Sequence, residues 1–272
     1  MNYKLLLSIN YKMFLSDTQT FVDTVNKLNE NKIVSGFEIY FDDDNKFERK
    51  YAYDLAKLCH DNNYIFNIHS RVYKNKESYS NYLKFIDELT NIYGNPITLT
   101  IHPVESDNKF DSENYSKNIF LDLVSTIKMN GYKINICIEN LNKLHGIDRL
   151  TIEELWNIIK DIKDLKLTHD IGHEIIDQNN YSRLYDEMLS RLTNVHMHNF
   201  KDGKDHYPIT KNDSNLDLYK DVMNYLDNIN YDKTLVLEYA VDYIDGNSKV
   251  EKLRSFINLA NEYKEIYDML HK

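Results

Sequence analysis

Eight residues able to bind a metal or move a proton stand at or near the ends of short apolar runs: Glu38, His69, His102, Glu139, Asp170, His196, His198 and Glu238. Imidazole nitrogens and carboxylate oxygens are the atoms a divalent cation takes, and they are also the commonest acid–base groups. A carboxylate closing an apolar run is costly to bury unless it is paired or ligated. Each residue has a plainer reading on its own. His69 and His102 could be hydrogen-bonded core histidines, and Glu139 or Glu238 could pair with a lysine. Those readings would have to hold independently at many similar positions. Gathered on one rim, such groups repel or stay unpaired without a cation among them, so the set points to a metal site.

Local spacing sharpens this. Asp170-Ile171-Gly172-His173 places an acid at the end of a run and an imidazole where the chain turns toward a helix. His169 precedes Asp170, so strand alternation sends it to the other face, where it reads as structural. His196-Met197-His198 puts two imidazoles on one strand face. The following Lys201-Asp202-Gly203-Lys204-Asp205-His206 reads as a loop that adds an acid and an imidazole. Lys12, Arg71, Lys201 and Lys204 fall near the same places and could meet a phosphate, although each also reads as a solvated base. His60, His145 and His271 lie on helix or loop segments and read as surface residues.

The elements that must position these groups alternate in two kinds. Apolar runs at Leu5–Asn10, Gly36–Phe41, Tyr64–His69, Ile97–His102, Ile134–Glu139, Leu165–Asp170, Asn194–His198 and Leu235–Glu238 read as eight strands. They lack polar alternation, as strands covered on both faces do. Between them run helical stripes such as Tyr82, Phe85, Ile86 and Leu89, then Leu155, Ile158, Ile159 and Ile162, and later Leu253, Phe256, Ile257 and Ala260. Thr151 with Glu154 and Ser16 with Gln19 read as capping boxes. Gly94 and Gly131 stand where helices end. Successive strand ends lie about 30 to 40 residues apart, one βα unit. Ser8-Ile9-Asn10-Tyr11-Lys12 after the first strand carries none of the glycines of a dinucleotide-binding turn. The spacing predicts an α/β fold, a (β/α)8 TIM barrel, as a single domain over residues 1–272 whose strand ends converge on one catalytic rim.

Composition limits the function. The chain has 272 residues, 42% of them hydrophobic, and a formal net charge of −10. That charge argues against a general nucleic-acid binder, since phosphate backbones select basic surfaces. The two cysteines, Cys59 and Cys137, are too few for a disulfide framework and read as buried reduced thiols. No apolar run has the length of a membrane span or a signal peptide, and the expected location is the cytoplasm.

Ile138-Glu139-Asn140, His169-Asp170-Ile171-Gly172-His173, Val195-His196-Met197-His198-Asn199 and Leu237-Glu238, in that order, resemble the xylose-isomerase-like barrel superfamily, which holds sugar-phosphate isomerases and epimerases and the endonuclease IV family. For the single-metal isomerases and epimerases, the resemblance implies ligands Glu139, Asp170, Glu238 and one of His196 and His198, with His196 favoured. It implies Glu139 and Glu238 as an acid–base pair at a carbon beside a carbonyl, and His173 as a substrate-binding or proton-moving group. For the endonuclease IV branch, a trinuclear zinc centre, it implies further ligands at His69, His102, His173 and His206. That family carries Asp-x-His where this chain has Asp205-His206, so the acid is one residue out of register.

The expected function is thus a metal-dependent isomerase or epimerase of a small sugar or sugar phosphate, with Zn, Mn, Mg or Co as cofactor. The alternative is a zinc phosphodiesterase of the endonuclease IV type, separated from the first by metal count: one ion per chain against two or three. A third is a barrel that only binds a ligand.

Overall fold

In the computed structural model, which describes residues 1–10, 13, 18–40, 46–70, 76–104, 109–141 and 150–271, the apolar runs form β1 (Lys4–Asn10), β2 (Val34–Tyr40), β3 (Ile65–Ser70), β4 (Ile97–Ile101), β5 (Ile134–Glu139), β6 (Lys166–Asp170), β7 (Leu192–Met197) and β10 (Thr234–Leu237). All neighbouring pairs are parallel, and the order β1-β10-β7-β6-β5-β4-β3-β2 closes the sheet on itself. The helices are α1 (Thr18–Leu28), α2 (Lys46–Asn62), α3 (Lys76–Tyr93), α4 (Lys109–Asn130), α5 (Ile152–Ile159), α6 (Ile171–Gln178), α7 (Asp186–Leu189), α8 (Leu216–Asn228) and α9 (Lys249–Leu270). The fold is one (β/α)8 TIM barrel, as the spacing predicts.

The strands do alternate, contrary to the expectation of uniformly apolar runs. One face of each strand joins the apolar layer beneath the helices: Leu5, Leu7 and Ile9, Phe37 and Ile39, Phe66 and Ile68, Leu99 and Ile101, Ile136 and Ile138, Val195 and Met197. The other face looks into the barrel and is largely polar. Ser8, Glu38, Asn67, Thr100, Thr168 and Asn194 are all buried there. They meet across the lumen, Thr100 Oγ1 lying 3.0 Å from Thr168 Oγ1 and Asn194 Nδ2 donating to Glu38 Oε2 at 2.9 Å. Thr100, Thr168 and Asn194 satisfy one another in this way, which is the condition for burying them. The apolar layer therefore holds the barrel to its helices, and the interior is left free to carry chemistry.

Local signals behave as their physics requires. Thr151 and Glu154 close both bonds of a capping box at α5, and Ser248 with Glu251 does the same at α9. The proposed box at Ser16 lies outside the described residues. Gly94 and Gly131 follow α3 and α4 at φ 84° and 68°, a left-handed turn that a side chain would strain. Cys59 and Cys137 are free and buried. Among the described residues, no helix is long and apolar enough to cross a membrane.

One element departs from the expectation. The segment read as a loop after His198 is an antiparallel hairpin of β8 (Asn199–Lys201) and β9 (Lys204–Tyr207). Its two-residue turn is Asp202-Gly203, both at positive φ (53° and 78°), the composition that two-residue hairpins favour.

Candidate metal centre

Glu38, His69, Glu139, Asp170 and His196 lie on inward faces of five strands, and Glu238 follows β10 directly. Each is buried, Glu238 being 8% exposed and the others 2% or less. Glu38 is not at the end of β2 but two residues inside it, deeper in the lumen than the sequence implies. Among the described residues, every ion-pair partner of Glu38, Glu139, Asp170 and Glu238 is a histidine. Four buried carboxylates with no lysine or arginine among the described residues to balance them would be strongly unfavourable without protons or a cation.

The first group is centred on His196. Its Nδ1 lies 2.9 Å from Glu238 Oε2, 3.3 Å from Glu139 Oε1 and 4.0 Å from Asp170 Oδ2. One donor atom from each of Glu139, Asp170, His196 and Glu238 falls within 4.8 Å of every other. Among the described residues, Asp170 Oδ2 and Glu238 Oε2 are buried and make no hydrogen bond of good geometry, although imidazole nitrogens lie close to both, as oxygens awaiting an ion would be. Three carboxylates and one imidazole make an oxygen-rich set that fits Mn²⁺, Mg²⁺, Co²⁺ or Zn²⁺. Burial raises the Glu139 carboxyl, but His196, His69 and His102 outweigh it and hold it well below the usual carboxylate range. The same opposition, with His196 the largest pull, keeps Glu238 low.

The second group shares Glu139. His69 Nε2 and His102 Nε2 lie 3.1 and 3.2 Å from Glu139 Oε2 and 2.8 Å from each other. His69 also reaches Glu238 Oε1 through Nδ1, at 3.1 Å. Burial lowers the His69 imidazole, yet Glu139 and Glu238 raise it to about 10. Two imidazoles and a carboxylate form a nitrogen-rich set of the kind zinc takes.

The third group is imidazole alone: His173, His198 and His206. Backbone contacts decide which nitrogen of His173 and of His206 carries hydrogen. His173 Nδ1 meets the Asn140 carbonyl at 3.0 Å and His206 Nδ1 the Glu238 carbonyl at 3.0 Å. Both rings thus donate from Nδ1 and keep Nε2 free. His198 differs. Its Nδ1 lies 3.1 Å from the His206 backbone N–H and 3.3 Å from the Asn199 carbonyl, while its Nε2 is turned toward Asp170, 3.3 Å from Oδ1. Burial lowers the His198 imidazole, and Asp170 beside it raises it to about 9. His206 has mainly imidazoles for neighbours, and burial with His198 and His173 depresses it to about 4.

His196 and His198 therefore stand in different surroundings although both precede the hairpin. His196 faces the carboxylates, whereas His198 is turned onto Asp170 by the hairpin amide and held against α6. A Cβ on Gly172 would come within 2.6 Å of the His198 ring, so glycine at that position lets the ring lie flat there. Asp205 joins none of the three groups. Its Oδ2 is 3.9 Å from His206 Nε2, consistent with the acid being out of register. Lys201 and Lys204 are exposed on the hairpin. Lys12 and Arg71 lie outside the described residues, as does His145, while His60 and His271 are exposed. His169 Nε2 donates to Glu174 Oε2 on α6 at 2.8 Å, the structural role its strand face predicts.

Asn140 has no role in the sequence reading. Its amide brackets the next strand, donating to the Asp170 carbonyl and accepting the Asp170 N–H, both at 2.8 Å. This fixes where Asp170 stands while its carbonyl orients His173. The available signal was its place directly after the strand-ending Glu139.

A family model described as a xylose isomerase-like TIM barrel matches residues 34–260. A curated relative, the uncharacterized protein MJ1311 of Methanocaldococcus jannaschii, is 29% identical over 140 residues, 48% of this chain and 45% of that protein, so the match spans less than half of the relative's length. Among solved structures, the fold is similar to 3-keto-D-glucoside 4-epimerase of E. coli (TM-score 0.66, 14% identity, 95% of this chain and 99% of that one). It is also similar to D-psicose 3-epimerase of Clostridium cellulolyticum H10 (TM-score 0.63, 14% identity, 98% of both chains). A sugar phosphate isomerase/epimerase of Parabacteroides distasonis aligns at TM-score 0.58 with 15% identity over 94% of both chains. With the strand-end residues in the order described above, the chain belongs to the xylose isomerase-like TIM barrel family.

Proposed function

We propose that this protein is a metal-dependent isomerase or epimerase of a small sugar or sugar phosphate, with Glu139, Asp170, His196 and Glu238 as the ligands of one divalent ion. The observation that carries this is the meeting of Glu139 and Glu238 from β5 and the end of β10 around a single imidazole nitrogen, at 3.3 and 2.9 Å. When bound, the ion supplies Lewis-acid polarisation of a sugar carbonyl and so acidifies the adjacent C–H. The chain supplies the rest. Glu139 and Glu238 flank the pocket, so one takes the proton from the carbon and the other returns it from the opposite face. His173, with Nδ1 held by the Asn140 carbonyl, presents Nε2 to a substrate hydroxyl. The epimerases of similar fold support this substrate class.

A second reading, phosphoester hydrolysis, is favoured by one observation: His69 and His102 converge on the oxygen of Glu139 that the first group leaves free. A carboxylate shared between two donor sets is what a two-metal phosphodiesterase needs.

Elemental analysis of protein purified without added metal, followed by turnover assays on a panel of ketoses, aldoses and abasic-site DNA, tests both. One ion per chain with epimerisation of a ketose is the expected result. Two or three zinc ions with cleavage of abasic DNA establishes the second reading instead. A chain that binds no divalent metal, or that binds it equally well after Glu139→Gln, removes both.

A further inference from the structure

Tyr40 is the last residue of β2 and has no role so far. It lies two residues beyond Glu38, hence on the same, lumen-facing side of the strand, and the parallel register sets it beside His69 on β3. The Tyr40 and His69 rings meet edge to face, with centroids 5.4 Å apart and planes at 83°. His69 in turn reaches Glu139 Oε2 and Glu238 Oε1, each at 3.1 Å. One imidazole thus separates Tyr40 from both proposed acid–base groups. Exposure climbs from 2% at His69 to 40% at Tyr40, which marks the direction of the lumen mouth. The other large apolar side chains exposed among the described residues are Tyr115, Leu121 and Met129 on α4, Tyr185 before α7 and Met269 on α9. Scattered apolar groups on the helical shell are ordinary, whereas an exposed aromatic ring on a barrel strand beside a polar site calls for an account.

We propose that Tyr40 is a substrate-contacting residue, an apolar wall on which the C–H face of a sugar packs while the reacting carbons lie between Glu139 and Glu238. This rests on the isomerase or epimerase reading of the site. Glu139, Glu238, His69 and His102 offer charged and imidazole groups, which serve hydroxyl and carbonyl oxygens but give a C–H surface nothing. A sugar carries both kinds of surface, and pockets for small molecules set a few convergent polar groups against aromatic or aliphatic walls. Tyrosine suits the place, since its flat apolar ring ends in a polar tip that tolerates a wet rim. An edge-to-face contact with His69 covers one edge or one face of the Tyr40 ring, and the exposed remainder is the surface offered to the sugar. The competing account makes Tyr40 a buttress for His69 alone. It differs in what Tyr40 would touch: a buttress acts on metal binding through the imidazole, and a wall acts on the sugar.

The test uses the full chain loaded with Zn²⁺, with D-fructose, D-psicose and D-tagatose as probes. In protein carrying ¹³C-labelled tyrosine, the ring signal that disappears in Tyr40→Phe should show intermolecular NOEs to sugar C–H protons. In turnover of whichever probe reacts fastest, Tyr40→Ala should raise KM by about 10-fold, the loss of roughly one aromatic contact, with kcat within about twofold of the parent. Tyr40→Phe keeps the ring and should bring KM back to within about twofold. Zn²⁺ affinity by chelator competition should be the same in the parent and both variants. An unchanged KM in Tyr40→Ala, a fall in Zn²⁺ affinity that accounts for its lost turnover, or a parent that binds sugar without NOEs from the Tyr40 ring overturns the proposal. Should Tyr40→Ala fail to fold, Tyr40→Leu and the parent spectrum decide by the same criteria. If the parent converts a ketohexose and the Tyr40 variants match it in KM, only the Tyr40 proposal fails. A Zn²⁺-loaded parent that neither binds nor converts any of the probes overturns the proposal together with the reading beneath it.

Discussion

His196 and His206 stand at opposite ends of the same short stretch of chain, and their surroundings could hardly differ more. His196 is on a barrel strand with carboxylates at both ring nitrogens, and although burial lowers its imidazole, Glu38, Glu238 and Glu139 raise it well above its ordinary value. His206 is on the hairpin between two other imidazoles and is pushed down to about 4. The strand-borne group is anionic and asks for a cation. The hairpin-borne group is built of imidazoles alone, and backbone carbonyls and an amide hold its rings. Residue type alone does not tell these sites apart; the element that carries each ring does.

The widest separation between them should come from removing each ring in turn. His196→Ala leaves Glu139, Asp170 and Glu238 facing one another, and metal affinity should fall by about 100-fold or more. His206→Ala should leave the affinity of the first ion nearly unchanged. Isothermal titration of both variants decides the matter, and comparable losses would erase the distinction drawn here.

A smaller effect is expected in the pH dependence of the metal-free protein. His69 has its imidazole raised to about 10 from an ordinary 6.5, so its stabilising contribution is full below about 6.5 and is lost as pH rises toward about 10. His206 has the opposite shift. The unfolded chain takes up its proton near 6.5 and the folded chain only near about 4, so stability falls as pH drops through that window. Urea denaturation of chelator-treated protein from pH 4 to pH 10 should therefore show a maximum near neutrality. Replacing His206 with Asn should flatten the acid side alone. A parent profile that is flat on both sides would contradict both assignments.

The smallest effect is a control remote from both groups. Thr151→Ala removes one half of the α5 capping box and should cost about 1 kcal/mol of stability, with no change in metal binding. A change in metal binding there would mean that the site is not as independent of the outer helices as the apolar layer implies.

Much of this was legible in the sequence, for reasons that differ by residue. The barrel could be read because strand and helix periods are imposed by the apolar layer, which recurs in every unit. Glu139, Asp170 and Glu238 could be read because a carboxylate at the end of an apolar run has few innocent explanations. The polar alternation of the strands was missed because serine, threonine and asparagine, which fill the lumen at Ser8, Thr100, Thr168 and Asn194, look unremarkable within short runs. The division of labour between His196 and His198 could not be settled either. It depends on a hairpin amide reaching back to one ring, and although Asp202-Gly203 signalled a turn, nothing in the sequence aimed His206 N–H at His198.

Asp170 has a double attachment with a practical consequence. Its carboxylate belongs to the first group, and its Oδ1 also accepts the His173 backbone N–H at 2.7 Å as the N-cap of α6. The first turn of a helix is thereby tethered to the same side chain that an ion would grip. Deuterium uptake at the His173 amide should slow when the ion enters, because any opening of that turn must then also loosen the carboxylate. One peptide in an exchange experiment would thus serve as a built-in gauge of occupancy, without substrate, turnover or spectroscopic label.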